Sequence, residues 1–261
     1  IFETLLQSQD DDPFSSEVIR SALVAAAQNG HSNVVQTLLQ STTYDLSAFI
    51  DYALVEAAQN GHSNIVQTIL QSKYDDISSV NLDNALVYAA QNGHSSVVQT
   101  LLNSTHSFSF VNNALVYAAQ NGHSNVVQTL LNLTTYSFSY DDIKYAIIYA
   151  AQNGHSNVVQ TILQSQYTNL SSVNLDNALV YAAQNGHSSV VQILLNSNID
   201  FSFVVDNALV YAAQNGHSNV VQTLLQSTKY SFSYADIESA LVDAAQNGDS
   251  NVVQTILQSQ Y

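Results

Sequence analysis

Seven histidines recur at one position of a repeated phrase, and a row of imidazoles is a pattern that could bind metal ions or relay protons. Each follows the glycine of Ala-Ala-Gln-Asn-Gly-His-Ser: His31, His62, His94, His123, His155, His187 and His217. Metal bonds of about 2 Å need converging ligands, whereas stacked helices of about 10 Å diameter keep equivalent side chains apart. We therefore expect no metal and no cofactor, and Asp249 interrupts the row in the last copy.

Nucleophilic catalysis also finds little support. The chain has no cysteine, so a thiol nucleophile is excluded. Serine, histidine and aspartate are abundant, but they recur with the repeat, whereas a nucleophile with its base and orienting group is a unique constellation that breaks a repeat. The sequence predicts no catalytic residues and no enzyme.

The charge balance limits the partners. Four basic residues stand against twenty acidic ones, a formal net charge of −16. This charge repels phosphate backbones and anionic lipid, so we expect neither nucleic acid nor membrane as a partner. No run reaches the roughly 20 apolar residues of a membrane helix. The composition selects no compartment, and an extracellular location is favoured only if the protein is structural.

The elements that position these residues form a repeat. Eight glycines lie 29 to 32 residues apart, each in the same phrase. In the block at 85–102, apolar residues recur at helical spacing before and after Gly93, which predicts two helices separated by a residue tolerant of positive φ. Ser95 or its neighbour is expected to cap the second helix with its side-chain oxygen.

We predict a single array over 1–261, in which each repeat stacks on the next. Residues 1–9 resemble the second half of a unit, so we expect the chain to be a slice of a longer array. The eight unit cores are 22–39, 53–70, 85–102, 114–131, 146–163, 178–195, 208–225 and 240–257.

The segments that join the cores vary in length and sequence. Acidic residues upstream of the first helices, among them Asp83, Asp141 and Asp236, are placed to interact favourably with the helix dipoles. The aromatic and serine alternation at 136–140 and 230–234 fits an extended segment. It fits a serine cap at a helix start equally well.

The block resembles the ankyrin repeat, whose core reads T-P-L-H-x-A-A-x-x-G-H-x-x-V-V-x-x-L-L. All eight copies match through Ala-Ala-Gln-Asn-Gly, Val-Val or Ile-Val, and the terminal aliphatic pair. Alanine replaces the family's proline, as at Ala85, and valine or isoleucine replaces its first histidine, as at Val87 and Ile148. Glycines of the inter-repeat hairpin are missing. The resemblance implies an all-α, ankyrin-like α-solenoid of stacked helix-turn-helix repeats, with the turn histidine as a structural hydrogen-bonding residue.

A longer period of 93 to 94 residues groups the units in threes. The segment at 78–88 returns at 171–181, and the segment at 136–140 returns at 230–234. The super-period records either gene growth by triplets or lateral contacts that recur at every third unit, as in a fibre or tube wall.

Five units carry a tyrosine, a glutamine and an asparagine at i, i+3 and i+4 of the first helix, on the face opposite its apolar stripe. We call these fifteen residues the Tyr-Gln-Asn strip: Tyr88, Gln91, Asn92, Tyr117, Gln120, Asn121, Tyr149, Gln152, Asn153, Tyr181, Gln184, Asn185, Tyr211, Gln214 and Asn215. The resemblance implies that this is the concave, partner-binding face. The strip is either a binding surface or a ladder that packs on itself and stiffens the stack.

Two functions remain. The first is a non-enzymatic scaffold that binds a protein partner through the strip. The strip hardly varies between units, so it suits a repetitive partner, such as an extended peptide, a polymer or another copy of the chain. The alternative is a structural protein that self-associates into an extracellular fibre, filament or sheath, a possible homopolymer.

Overall fold

The computed structural model describes residues 16–41, 45–74, 77–167, 175–259 and 261. These residues form sixteen helices and no strand, so the predicted all-α fold of stacked helix pairs is confirmed and the described joining segments contain no hairpin. None of the helices in these ranges is both long and apolar enough to span a bilayer. The predicted partial unit at 1–9 lies outside the described residues.

The chain divides into two compact units, Ile1–Ala114 and Leu115–Tyr261. The first contains α1 (Ser16–Gln28), α2 (Ser32–Gln40), α3 (Ser47–Gln59), α4 (Ser63–Leu70), α5 (Ser79–Gln91) and α6 (Ser95–Leu102). Helix α7 (Val111–Gln120) contains the boundary. The second unit contains α8 (Ser124–Leu131), α9 (Tyr140–Gln152), α10 (Ser156–Leu163), α11 (Asp176–Gln184), α12 (Ser188–Leu195), α13 (Val205–Gln214), α14 (Ser218–Leu225), α15 (Tyr234–Asn247) and α16 (Ser250–Leu257).

Within each unit, first helices pack on first helices and second helices on second helices. In residues 1–114 the first helices follow in the order α1, α3, α5, and the second helices in the order α2, α4, α6. In residues 115–261 the orders are α9, α11, α13, α15 and α8, α10, α12, α14, α16. Each first helix except the outermost thus has a neighbour on both sides, which explains why its apolar stripe is removed from water.

Small residues on the first helices let these neighbours approach closely. On α11, Leu179 lies among Ala178, Ala182 and Ala183, and all four are fully buried. The paired α12 contributes buried valines and leucines at the predicted spacing. The core is therefore a layer that runs through the stack, and it leaves the opposite side of each first helix free for the strip.

In the turn between paired helices, the glycine has the predicted conformation but the predicted helix cap is absent. All eight glycines adopt positive φ, between 76° and 83°. The predicted serine caps are wrong: His94 and not Ser95 precedes α6, and it makes no side-chain capping bond. Its ring reaches the neighbouring repeat instead, where Nε2 lies 2.9 Å from the Gln59 carbonyl oxygen.

The alternation of aromatics and serines marks helix starts. Ser139 and Ser233 are the N-caps of α9 and α15, and each forms a capping box with an aspartate three residues later, Asp142 or Asp236. Each serine hydroxyl accepts from the backbone N–H of that aspartate, and its carboxylate accepts from the serine N–H. The serine-cap interpretation is therefore confirmed at these two segments, and the backbone of Ser139 and Ser233 is itself extended, as the alternation also indicated.

One upstream aspartate has a role other than the predicted one. Asp83 lies beyond the first turn of α5 and is buried. Its carboxylate accepts from the backbone N–H groups of Ser109 and Phe110 in the next joining segment. Asp51 accepts similarly from Ser78 N–H, 27 residues later. These carboxylates fix the joining segment, and hence the start of the following first helix.

Asp206 occupies the equivalent position on α13, but its Oδ1 accepts no hydrogen bond from the described residues of the next joining segment. Its Oδ1 is buried and has no hydrogen-bond partner among the described residues, and the Ser233 N–H donates to Asp236. Burial, together with the negative charge of Asp236, raises the pKa of Asp206. The position 94 residues earlier holds the neutral Asn112.

We expect Asp206→Asn to stabilise the protein at pH 7 by about 0.5 kcal/mol, the scale of partly exposed charge interactions. A raised pKa in the folded state means that ionisation costs stability as pH rises through that pKa. The gain should therefore vanish below about pH 4, where the carboxyl is neutral in both states. Urea unfolding of both proteins from pH 7 to 3.5 tests this. Glu238→Gln, which removes one exposed charge from α15, is the control. An equal gain in stability in Glu238→Gln, or a gain in Asp206→Asn that does not change with pH, contradicts the prediction.

Candidate binding surface

The strip lies on the exposed side of the first helices. In residues 115–261, Tyr117 and Tyr211 are each 40% exposed and Tyr149 is 36% exposed, while Tyr181 is half-buried. The strip glutamines of α9, α11 and α13 are exposed. Since these three helices pack in succession, the structure brings together their strip residues side by side on one surface.

In residues 1–114 the strip is represented on α5 alone. Tyr88 is 39% exposed, and Gln91 and Asn92 are exposed beside it. The preceding α3 carries Glu56 in place of the tyrosine, with the exposed Tyr52 one turn before it. This unit therefore presents a surface of different chemistry, with a carboxylate where residues 115–261 repeat tyrosine.

The strip asparagines serve the fold. Asn92, Asn153 and Asn185 each donate from Nδ2 to the backbone carbonyl of the strip-position glutamine in the preceding repeat, over 3.0 to 3.1 Å. Asn121 and Asn215 donate to the carbonyl of the tyrosine one turn earlier in their own helix. Each of these bonds uses one of the two Nδ2 N–H groups and leaves the Oδ1 acceptor outside the bond.

The turn histidines also form hydrogen bonds between successive repeats. The Nε2 atoms of His62, His94, His155, His187 and His217 lie 2.9 to 3.0 Å from the carbonyl of a glutamine in the preceding repeat. A carbonyl only accepts, so Nε2 carries the proton. This confirms the structural role that the resemblance implied for these five. Among the described residues, no group of three or more His, Asp or Glu side chains converges as a metal site would require.

A cavity opens in the strip between α9 and α11. Its volume is about 430 Å³, within the range of small-ligand sites. The strip residues that line it are Tyr149, Gln152, Tyr181, Gln184 and Asn185. Three residues outside the strip complete the lining: Tyr145, Ile148 and Asn177. Tyr145 and Tyr149 stack, with ring centroids 6.3 Å apart and planes inclined by 23°.

The strip prediction missed Tyr145, Ile148 and Asn177. A signal was present in the sequence, because in residues 115–261 only α9 has a tyrosine immediately before the core alanine. The corresponding residues of α11 and α13 are Asn177 and Asn207. A departure from the repeat at an exposed position therefore coincides with the cavity between α9 and α11.

The cavity is uncharged and aromatic within an acidic chain. Its eight lining residues carry no ionised group at neutral pH. Each of the four basic residues of the chain lies over an aromatic ring, at 5.1 to 5.7 Å from the centroid: Arg20 over Phe49, Lys73 over Tyr74, Lys144 over Tyr145 and Lys229 over Tyr230. The surface is equipped for recognition by stacking and hydrogen bonding.

Comparison with known families finds a match to a model described as ankyrin repeats (3 copies), at residues 1–81, 54–142 and 115–204. These matches together cover more than half of the chain. A comparison with curated proteins finds no significant match.

Proposed function

The chain belongs to the ankyrin repeat family, and we propose that it is a non-enzymatic scaffold whose Tyr-Gln-Asn strip binds an extended segment of a protein partner. Ankyrin repeats generally mediate protein-protein interaction, and they are typically non-catalytic modules. The observation that carries the proposal is the row of exposed tyrosines and glutamines on the adjoining helices α9, α11 and α13.

The chemistry of the strip suits such a segment. Tyrosine offers a large amphipathic contact at low cost in side-chain entropy, and glutamine offers both donors and acceptors to a peptide backbone. Neighbouring helices lie about 10 Å apart, close to the length of one three-residue turn of a polyproline II segment, which rises about 3.1 Å per residue. A partner that repeats a favourable side chain at every third residue would meet the same surface at each helix.

Alanine at all five strip tyrosines, Tyr88, Tyr117, Tyr149, Tyr181 and Tyr211, should abolish partner capture. Aromatic side chains that become buried on binding dominate binding energies, so we expect Kd for an isolated partner to rise by about tenfold or more. The measurement is affinity purification from the native source, followed by titration of the purified partner. Circular dichroism would check that the helices remain.

The matched control removes five exposed side chains from the second helices of the same five repeats. It replaces Gln99, Gln128, Gln160, Gln192 and Gln222 by alanine. Capture should persist in this variant. Equal loss in both variants, or loss in the glutamine variant alone, would contradict the proposal.

One observation favours self-association as a second candidate. The second helices α2, α4, α6, α8, α10, α12, α14 and α16 carry no charged side chain, although the chain has a net charge of −16. Copies meeting through these amide and hydroxyl faces would avoid direct charge repulsion. In this case the captured protein would be the chain itself, and the glutamine variant would be the one that loses it.

A further inference from the structure

We propose that the cavity between α9 and α11 receives an arginine side chain of the partner, whose guanidinium stacks on the tyrosines and donates to the surrounding amide oxygens. This inference rests on the proposed function, because it specifies the anchor of the partner segment that the strip would bind. The cavity is lined by three tyrosines, one isoleucine and four side-chain amides.

The aromatic side of the cavity favours a planar cation. Tyr145 and Tyr149 stack on α9, and Tyr181 lines the cavity from α11. The negative face of an aromatic ring attracts a cation, and guanidinium adds planar stacking to this attraction.

The polar side of the cavity favours guanidinium over ammonium. Asn185 uses its Nδ2 to donate to the Gln152 carbonyl, which leaves Oδ1 as an acceptor. Gln152, Gln184 and Asn177 add amide groups on the same lining. Arginine has five N–H donors and is weakly hydrated, so neutral oxygens can replace its water. The strongly hydrated lysine ammonium would lose more without a carboxylate, and the lining has none.

The charge of the whole chain supports a basic partner. With a formal net charge of −16, it attracts cationic segments over long range and raises their association rate. Its four basic residues already lie over aromatic rings. An acidic partner anchor would meet both net repulsion and a lining without any cationic donor.

The test uses the full chain and the probe acetyl-Gly-Gly-Arg-Gly-Gly-amide, with lysine, citrulline, leucine and phenylalanine versions of the same peptide. Saturation-transfer NMR would measure the weak affinities. We expect the arginine peptide to bind about tenfold more tightly than the citrulline peptide, which keeps the shape and loses the charge. It should also bind more tightly than the lysine peptide.

Two variants locate the binding. Tyr145→Asn introduces the residue that α11 and α13 carry at this position, so the fold should tolerate it, and arginine binding should fall to the citrulline level. Tyr145→Phe keeps the ring and should keep the binding. Equal binding of citrulline, stronger binding of leucine or phenylalanine, or an unchanged arginine affinity in Tyr145→Asn would each overturn the inference.

The outcomes also separate this inference from the proposed function. If the partner is captured through the strip tyrosines but the arginine peptide does not bind, the arginine anchor is wrong and the scaffold function stands. If the peptide binds in the cavity but the variant with alanine at the five strip tyrosines still captures the partner, the proposed function is wrong.

Discussion

Leu179→Ala should destabilise residues 115–261 by about 3 kcal/mol, within the range of large-to-small core substitutions. Leu179 is fully buried on α11, and α11 packs against both α9 and α13. Truncation therefore removes apolar contact and leaves a cavity that two neighbouring helices cannot both move to fill. Urea unfolding followed by circular dichroism measures the loss, with hydrogen exchange to locate it in the stack.

Leu241→Ala is the matched control, because Leu241 occupies the same position on α15. Its side chain is half-buried, and α13 is the one first helix that packs against α15 among the described residues. We expect Leu241→Ala to lower the free energy of unfolding by less than half as much as Leu179→Ala, because the half-buried Leu241 buries less apolar surface on folding. Equal losses would mean that the two helices are equally packed, contrary to the structure.

Gly154→Ala should cost about 3 kcal/mol, the sum of two effects. The residue has a φ of 78°, where an L side chain costs about 1 to 2 kcal/mol. A Cβ there would also lie 2.6 Å from the His187 Nδ1 of the next repeat. The ring cannot move without losing its bond to the Gln152 carbonyl, which is worth about 1 kcal/mol.

The chain supplies a control that separates these effects. Gly248 has the same φ of 78°, yet a Cβ there would meet nothing within 4 Å. Gly248→Ala should therefore show the backbone cost alone. Combining Gly154→Ala with His187→Ala should cost less than the sum of the single substitutions, because the clash is removed with the ring. Equal losses for the two glycine variants, or additivity in the double variant, would refute the steric explanation.

The sequence was sufficient to predict the helix pairs and the turn glycines. Apolar residues at helical spacing around Gly93 recur in every copy, and this local pattern follows from burying one side of each helix. It also predicted that the strip lies opposite that apolar side, which the exposure of Tyr149 and Tyr211 agrees with.

Tertiary structure decided what the polar side chains do. Ser95 was expected to cap α6, and the strip was expected either to bind a partner or to form a ladder along the stack. His94 precedes α6 and reaches Gln59, 35 residues away, while Asn185 donates to Gln152, 33 residues away. Such bonds depend on the distance and rotation between stacked repeats, which the periodicity of one repeat does not contain.

The same reason explains the cavity at Tyr145. The sequence shows that this tyrosine departs from the repeat, but its meaning depends on Tyr181 lying opposite it on the neighbouring helix. Local periodicity therefore determined the helices and their faces in this protein. The packing of one repeat on the next decided which side chains hold the stack together and which remain free to bind.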